Sequence, residues 1–330
     1  MPLVIRGPVG CLFVISPADV VAAQTRIAGH VHRTPATSSR TLSERLGAST
    51  HVKLELFQKT GSFKPRGAFN VMLLMTDAER SRGVVGFSGG NFAQGMAYAG
   101  RELGVDTLVV MPESTPAHYV DATASYGASV ELAPDVGAAI EAAKAHSAEG
   151  RTLMHPFDDP RMMAGNGTVG LEILEDVPDV THLFVSVGGG GLLTGVATAV
   201  LGAKPSVKVV AVETEGADAL ARSLEAGESV TIQPTSIAKT LGSPYAAADV
   251  IELAKTRLAG AEVVGDGDAV NALRFLAERL KVLTEPAASC TLAAADRWSE
   301  RFERHDVVVL LLCGGNVSVD DLMEWQKRFP

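Results

Sequence analysis

The chain has 330 residues, 46% of them hydrophobic and 20% charged, with a formal net charge of -9. That is material for one large domain or two modest ones without disulfide or metal staples. An acidic balance without long runs of like charge excludes a nucleic-acid binder or a protein held on an anionic membrane surface, and leaves small molecules or a second copy of the chain as partners.

Residues 1–16 are apolar but interrupted by Arg6, Gly7, Pro8 and Gly10, so an N-terminal extension is expected rather than a signal peptide. No uninterrupted apolar run reaches the length of a bilayer span. Cys11, Cys290 and Cys313 show no paired spacing and cannot all pair within one chain, which points to a reducing cytoplasm.

In chain order, Ser16 is suited to cap a helix over 17–31, where Val20, Val21, Ile27 and Val31 recur at helical spacing. A short helix over 41–46 ended by Gly47 and a strand over 51–56 follow. Strands at 83–87, 107–111, 129–132 and 152–154 then alternate with helices at 91–103, 117–126 and 136–148. The second half continues with strands at 183–187, 207–212, 251–253 and 307–312. Such alternation predicts an α/β fold of twisted, mostly parallel sheets flanked by helices. The number of strands predicts two domains, a small one over 80–157 inserted in a large one made from 1–79 and 158–330. His155 and Asp158 fall at the junction, where a hinge is expected.

Lys64 stands where the strand gives way to a helix over 67–75. Pro65 suits the first turn of that helix and Ser62 its cap. At a helix N-terminus the dipole disfavours the ammonium, and an amine that is also partly desolvated can form a Schiff base at neutral pH. Alone, such a lysine is more often an ordinary charge. Three loops change the balance.

Ser88-Gly89-Gly90-Asn91-Phe92 lies between a strand and a helix and offers successive N–H groups to a carboxylate or phosphate; a tight glycine turn is the alternative. Gly188, Gly189, Gly190 and Gly191 are conformationally costly in a row. A phosphate cradled by their N–H groups and the helix dipole would offset that cost. Their spacing matches neither a Walker loop nor the dinucleotide fingerprint. Cys313-Gly314-Gly315-Asn316 follows the apolar strand, and ligands of α/β sheets collect at strand carboxyl ends, although a buried inert cysteine is the commoner case.

These stretches, in this order, resemble the fold-type II pyridoxal-phosphate enzymes (tryptophan synthase β-like), most closely the threonine/serine dehydratase and serine racemase family. ELFQKTGSFKPRGAFN at 55–70 resembles the family's lysine segment, SGGNFAQG its Ser-x-Gly-Asn-His loop, SVGGGGLLTG its tetraglycine loop, and CGGN the strand end facing the pyridine nitrogen. HPFDDPRMMAGNGT, VET and EPAAS agree further, and the likeness runs from about residue 18 to the end.

The resemblance implies that Lys64 holds pyridoxal 5'-phosphate as a Schiff base and then acts as the base on Cα. Phe63 would pack on the ring and Asn91 would bond its hydroxyl. Gly188, Gly189, Gly190, Gly191 and Leu192 would hold the phosphate through backbone N–H groups. Ser88, Gly89, Asn91 and the backbone near Phe92 would receive the substrate carboxylate. Cys313 facing the ring nitrogen would leave it largely neutral, which favours loss of a β-substituent over transamination. In such relatives the cofactor phosphate can protonate the departing hydroxyl, and the product ends as a 2-oxo acid and ammonia. A homodimer is implied by the same likeness.

Departures from the family refine the expectation. Gly89 replaces the second serine of the racemases, so dehydration leads; racemisation, β-replacement or non-catalytic cofactor binding are the rivals. Phe92 replaces the loop's histidine, and Ser236-Ile237-Ala238-Lys239-Thr240 replaces the usual Ala-Asp-Gly segment. Both changes beside the expected pocket make a bulkier substrate such as 3-phenylserine as credible as threonine or serine. Glu213 with the carbonyl of Ala217 outlines a cation site, where a monovalent ion such as K+ is favoured over Mg2+. Ending at Pro330, the chain has no room for the regulatory domain of feedback-inhibited relatives, and a degradative role is expected.

Overall fold

The computed structural model describes residues 14–330. Cys11 and most of the N-terminal run therefore lie outside the described residues. Ser16 caps the first helix, Pro17–Ile27, as expected, exchanging hydrogen bonds with Asp19.

Among the described residues ten strands form two sheets. They are β1 (Ala36–Ser38), β2 (Ser49–Leu54), β3 (Val84–Phe87), β4 (Thr107–Pro112), β5 (Ser129–Ala133), β6 (Thr152–Met154), β7 (His182–Ser186), β8 (Lys208–Thr214), β9 (Gly260–Val264) and β10 (Val307–Leu312). One sheet has the order β1-β2-β10-β7-β8-β9 and the other β5-β4-β3-β6. Every pairing is parallel except β1 with β2. Parallel strands covered on both faces read as unbroken apolar runs, and VVVLLL of β10 is buried throughout at the centre of the larger sheet.

Two expectations fail. Residues 251–253 lie inside the helix Ala248–Thr256, and the strand beside β8 is instead Gly260–Val264. A three-residue apolar run fits either period, and the half-buried edge strand GAEVV carries little apolar signal. Ser62 does not cap the lysine helix. That helix, Lys64–Leu73, starts directly after Phe63 without a side-chain cap, and Ser62 forms an isolated bridge with Gly314 at the end of β10.

The lysine helix is seated from two sides. Gly67 and Gly165 let it approach the helix Pro160–Asp176 so closely that a Cβ on Gly165 would stand 2.6 Å from the Arg66 carbonyl. Arg66, 1% exposed, donates to Glu55 from Nε and Nη2 at 2.8 Å and to Glu172 from Nη1 at 2.7 Å. Lys53, fully buried on β2, donates to the other Glu172 oxygen at 2.7 Å. Two buried cations thus face two buried carboxylates across β2, the lysine helix and Pro160–Asp176.

Removing one partner of such a network leaves an uncompensated buried charge. Arg66→Ala is therefore expected to lower unfolding free energy by about 3–5 kcal/mol, measured by urea denaturation. A loss below about 1 kcal/mol would show that water reaches the carboxylates.

Candidate active site

Lys64 is the first residue of its helix, with Pro65 next. Its side chain is half-buried overall, yet the amine is enclosed: Nζ donates to the Pro156 carbonyl at 3.0 Å and lies 5.0 Å from the Phe63 ring centre and 5.7 Å from that of Phe92. Burial pushes its pKa down to about 8, against the pull of Cys313 and Glu285. About a tenth is then free amine at pH 7, far more than for a lysine in water.

Carboxyl ends of both sheets converge on this amine. From the larger sheet, the Cys313 carbonyl accepts the Phe63 N–H at 3.1 Å and Gly315 donates to the Gly61 carbonyl at 2.9 Å. Asn316 Nδ2 donates to the Thr60 carbonyl at 2.8 Å and to Asn91 Oδ1 at 2.7 Å. Cys313 Sγ is buried, accepts from Ser186 Oγ at 3.3 Å and points at the Ala287 carbonyl at 3.7 Å. Burial pushes this thiol up to about 12, so it is neutral at physiological pH.

From the smaller sheet, β3 leads into Ser88–Gly90 and the helix Asn91–Leu103, whose Gly95 abuts the Lys64 backbone. Ser88 Oγ accepts the Gly90 N–H at 3.2 Å. Space beside Gly89 is taken: Thr115 Oγ1 stands 2.5 Å from where a Cβ would be. The Phe92 ring is 2% exposed and belongs to a core cluster with Phe69, Met96 and Met154, which leaves its backbone, as expected from the sequence, as the part that can face a carboxylate.

Gly188 and Gly189 follow β7, Gly190 caps the helix Gly191–Ala203, and Leu192 lies in its first turn. The glycines are required by packing as well as by any ligand. Gly190 has φ 103°, and a Cβ there would meet Val250 at 2.5 Å; one on Gly189 would meet the Phe157 ring at 2.3 Å. Phe157, visible in the sequence only as part of HPFDDPRMMAGNGT, covers this loop one residue after the carbonyl that holds Lys64. The expected hinge residue His155 packs edge-on against Phe87 and Phe157, linking the ends of β3 and β6 to this cover.

Glu285 was visible in the sequence only as part of EPAAS. It is 4% exposed, and its Oε1 accepts from Asn91 Nδ2 at 2.8 Å and Thr240 Oγ1 at 3.0 Å. Burial pushes it up to about 7. Thr240 belongs to a loop anchored where Asp266 accepts from Ser236 Oγ at 2.6 Å and from the Ile237 N–H at 3.1 Å. Glu213 is different in kind. Its two oxygens accept the N–H groups of Leu220 and Ala221 at 2.9 and 2.8 Å, and burial pushes it up to about 7. It caps the helix Ala219–Ala226, and Ala217 lies beside it in the turn after β8. Among the described residues no three His, Cys, Asp or Glu side chains gather around a metal position.

A free amine, a helix N-terminus behind a glycine cradle, a second such N-terminus after β3 and a neutral group at the end of β10 suit one kind of ligand: a phosphorylated aldehyde handling amino acids. Chemistry of that kind is the work of pyridoxal-phosphate enzymes. The family profile described as "Pyridoxal-phosphate dependent enzyme" matches residues 27–314, and the chain belongs to that family.

It is 38% identical over 314 residues to the L-threonine ammonia-lyase of Thermotoga maritima, covering 93% of this chain and 77% of that one. It is 37% identical over 305 residues to the L-threo-3-hydroxyaspartate ammonia-lyase of a Pseudomonas species, covering 92% and 95%. Among solved structures, that of maize serine racemase matches with TM-score 0.89 at 33% identity over 95% of this chain and 97% of that one. The chain is thus an enzyme of a group that holds ammonia-lyases, dehydratases and racemases.

Two outcomes follow from this geometry. A carboxyl whose folded pKa is raised from 4.5 to about 7 contributes stability that is complete below the unfolded value and lost as pH rises through the folded one. Glu285→Gln should therefore gain stability over the parent as pH goes from 4.5 to 8, by up to about 3 kcal/mol in urea unfolding; an unchanging difference would mean the carboxyl is ionised throughout. Gly190→Ala, strained and crowded by Val250, should weaken pyridoxal-phosphate binding at least about tenfold in a fluorescence titration, from a strain of about 1–3 kcal/mol.

Proposed function

We propose that the protein removes water and ammonia from a β-hydroxy-α-amino acid to give a 2-oxo acid. The observation that carries this reading is the enclosed amine of Lys64, its pKa lowered by burial, beside the neutral thiol of Cys313. Pyridoxal phosphate, when bound, supplies an electron sink for the pair left at Cα. Lys64 is the residue that would carry it covalently and, once released, take the Cα proton. Backbone N–H groups of Gly188, Gly189, Gly190, Gly191 and Leu192 would hold its phosphate at the helix N-terminus.

Phe63 would lie on the ring, and Asn91 would reach the ring hydroxyl with the second N–H of its amide. Cys313, a neutral thiol, would leave the ring nitrogen unprotonated. Such a sink is weak, which suits prompt loss of a β-hydroxyl over longer-lived carbanion chemistry. Ser88, Gly89, Asn91 and the Phe92 backbone would hold the substrate carboxylate. Gly89 has no side chain where the racemases carry their second serine, which supports elimination over racemisation.

Choice among β-substituents falls to Thr240 and its loop, since the Phe92 ring is turned into the core; 3-phenylserine stays within the proposed class beside threonine and serine. A monovalent cation under Glu213 and Ala217 is part of the proposal, with backbone carbonyls as its main ligands because both Glu213 oxygens already accept N–H groups. Residues 80–157 form the inserted small domain in this reading, and their sheet is separate from the larger one. A homodimer is part of the proposal by family likeness, and a reducing cytoplasm is supported by the free thiols Cys290 and Cys313.

Purified holoenzyme is expected to release equal amounts of 2-oxo acid and ammonia from at least one of L-threonine, L-serine and L-threo-3-phenylserine. Accumulation of the inverted amino acid without 2-oxo acid would contradict the reading. Thr240→Gly should change the threonine to 3-phenylserine ratio of kcat/KM by about 10-fold or more, the scale of one pocket methylene or two. Phe92→His should leave that ratio within about threefold and lower stability instead.

A further inference from the structure

Hydrogen bonding around Glu285 is lopsided. Oε1 takes both available donors, Asn91 Nδ2 and Thr240 Oγ1, while Oε2 is buried without any partner. An ionised carboxyl would leave a bare anionic oxygen in that position, the costlier arrangement. The neutral acid fits every contact. Oε1 is then the carbonyl oxygen receiving two donors, and Oε2 carries a proton for which the protein supplies no acceptor. A proton in that position is left for a ligand oxygen to accept.

The surroundings say which oxygen. Leu241's carbonyl stands 3.0 Å from where a Cβ on Gly188 would be, and Thr240's methyl 3.4 Å from the equivalent point on Gly90. The segment Lys239–Leu241 thus bridges the glycine cradle and the loop Ser88–Asn91. Glu285 sits under this bridge, 2.7 Å from the equivalent point on Gly314. The ionisable groups facing it are Lys64, Cys313, Cys290 and Tyr119. A substrate with its carboxylate on Ser88–Asn91 would extend its β-carbon toward this bridge, and the group it would bring to Glu285 is the β-hydroxyl.

We propose that Glu285 is a second catalytic residue, whose Oε2 proton passes to the departing β-hydroxyl, with Thr240 and Asn91 as positioning residues that keep that proton on Oε2. This assignment rests on the dehydratase reading and replaces the cofactor phosphate as the proton source. Lys64 takes the Cα proton, and the freed electron pair forms the Cα–Cβ double bond. The Cβ–O bond breaks with its pair on oxygen, the Glu285 proton completes water, and Glu285 is left ionised. The proton held by Lys64 restores the acid, so the cycle balances without a further reactant.

The test compares two leaving groups in the holoenzyme. Hydroxide needs a proton to depart, whereas chloride from β-chloro-L-alanine does not, and both routes yield a 2-oxo acid and ammonia. Glu285→Gln keeps the size and both hydrogen bonds at Oε1 but has no acidic proton. Initial rates are expected to fall about 100-fold or more on the best hydroxy amino acid relative to β-chloro-L-alanine, the usual scale of general acid catalysis, with the visible absorbance of the bound cofactor kept. An equal fall on both substrates, or no fall on the hydroxy amino acid, overturns the assignment. Thr240→Val serves if the first variant does not fold: the same ratio should drop several-fold, and an unchanged ratio overturns the proposal. Wild-type protein inactive on both substrates would instead overturn the dehydratase reading and the role of Glu285 with it.

Discussion

The position of Lys64 depends on a charge two residues away. Arg66 is buried with Glu55 on one side and Glu172 on the other, and Lys53 completes the set from β2. Guanidinium is suited to this place because its planar fork reaches both carboxylates at once. Burying four charges is costly, so the arrangement holds only when every partner is present. That requirement ties the start of the lysine helix to β2 and to the helix Pro160–Asp176, and the tight approach at Gly165 admits little sliding. The amine at the head of the helix inherits this fixed place.

Desolvation, the force that makes the Arg66 network demanding, also sets the chemistry beside it. Lys64 is pushed down to about 8, Glu285 up to about 7 and Cys313 up to about 12. One cause moves an amine, an acid and a thiol toward their neutral forms together. A free amine is a nucleophile and base, a neutral acid is a proton donor, and a neutral thiol leaves a ring nitrogen unprotonated. Anionic ligand groups are left to the N–H groups of two helix starts.

Much of this was legible in the sequence, because parallel strands and glycine-rich turns leave strong local signals. Strands 152–154 and 307–312 and helices 91–103 and 136–148 are found at the expected residues. The Cys313 carbonyl holds the Phe63 N–H beside Lys64, Asn91 bonds Asn316 of the same strand end, and Phe157 joins the glycine run to the carbonyl that holds Lys64. Features set by distant packing were not legible. Nothing local reveals that Ser62 pairs with Gly314, that Phe157 covers the glycine cradle, or that the Phe92 ring turns into the core. Glu285 joins Asn91 across 194 residues of sequence, and only the folded chain shows its one unpartnered oxygen.

The central claim is that Lys64 carries the cofactor, and borohydride reduction of the pyridoxal-phosphate-loaded protein followed by peptide mass spectrometry tests it directly. The account predicts one stable phosphopyridoxyl group, on the peptide containing Lys64, with Lys53 and Lys59 unmodified. A label on another lysine, or none on a protein that still binds the cofactor, would contradict it.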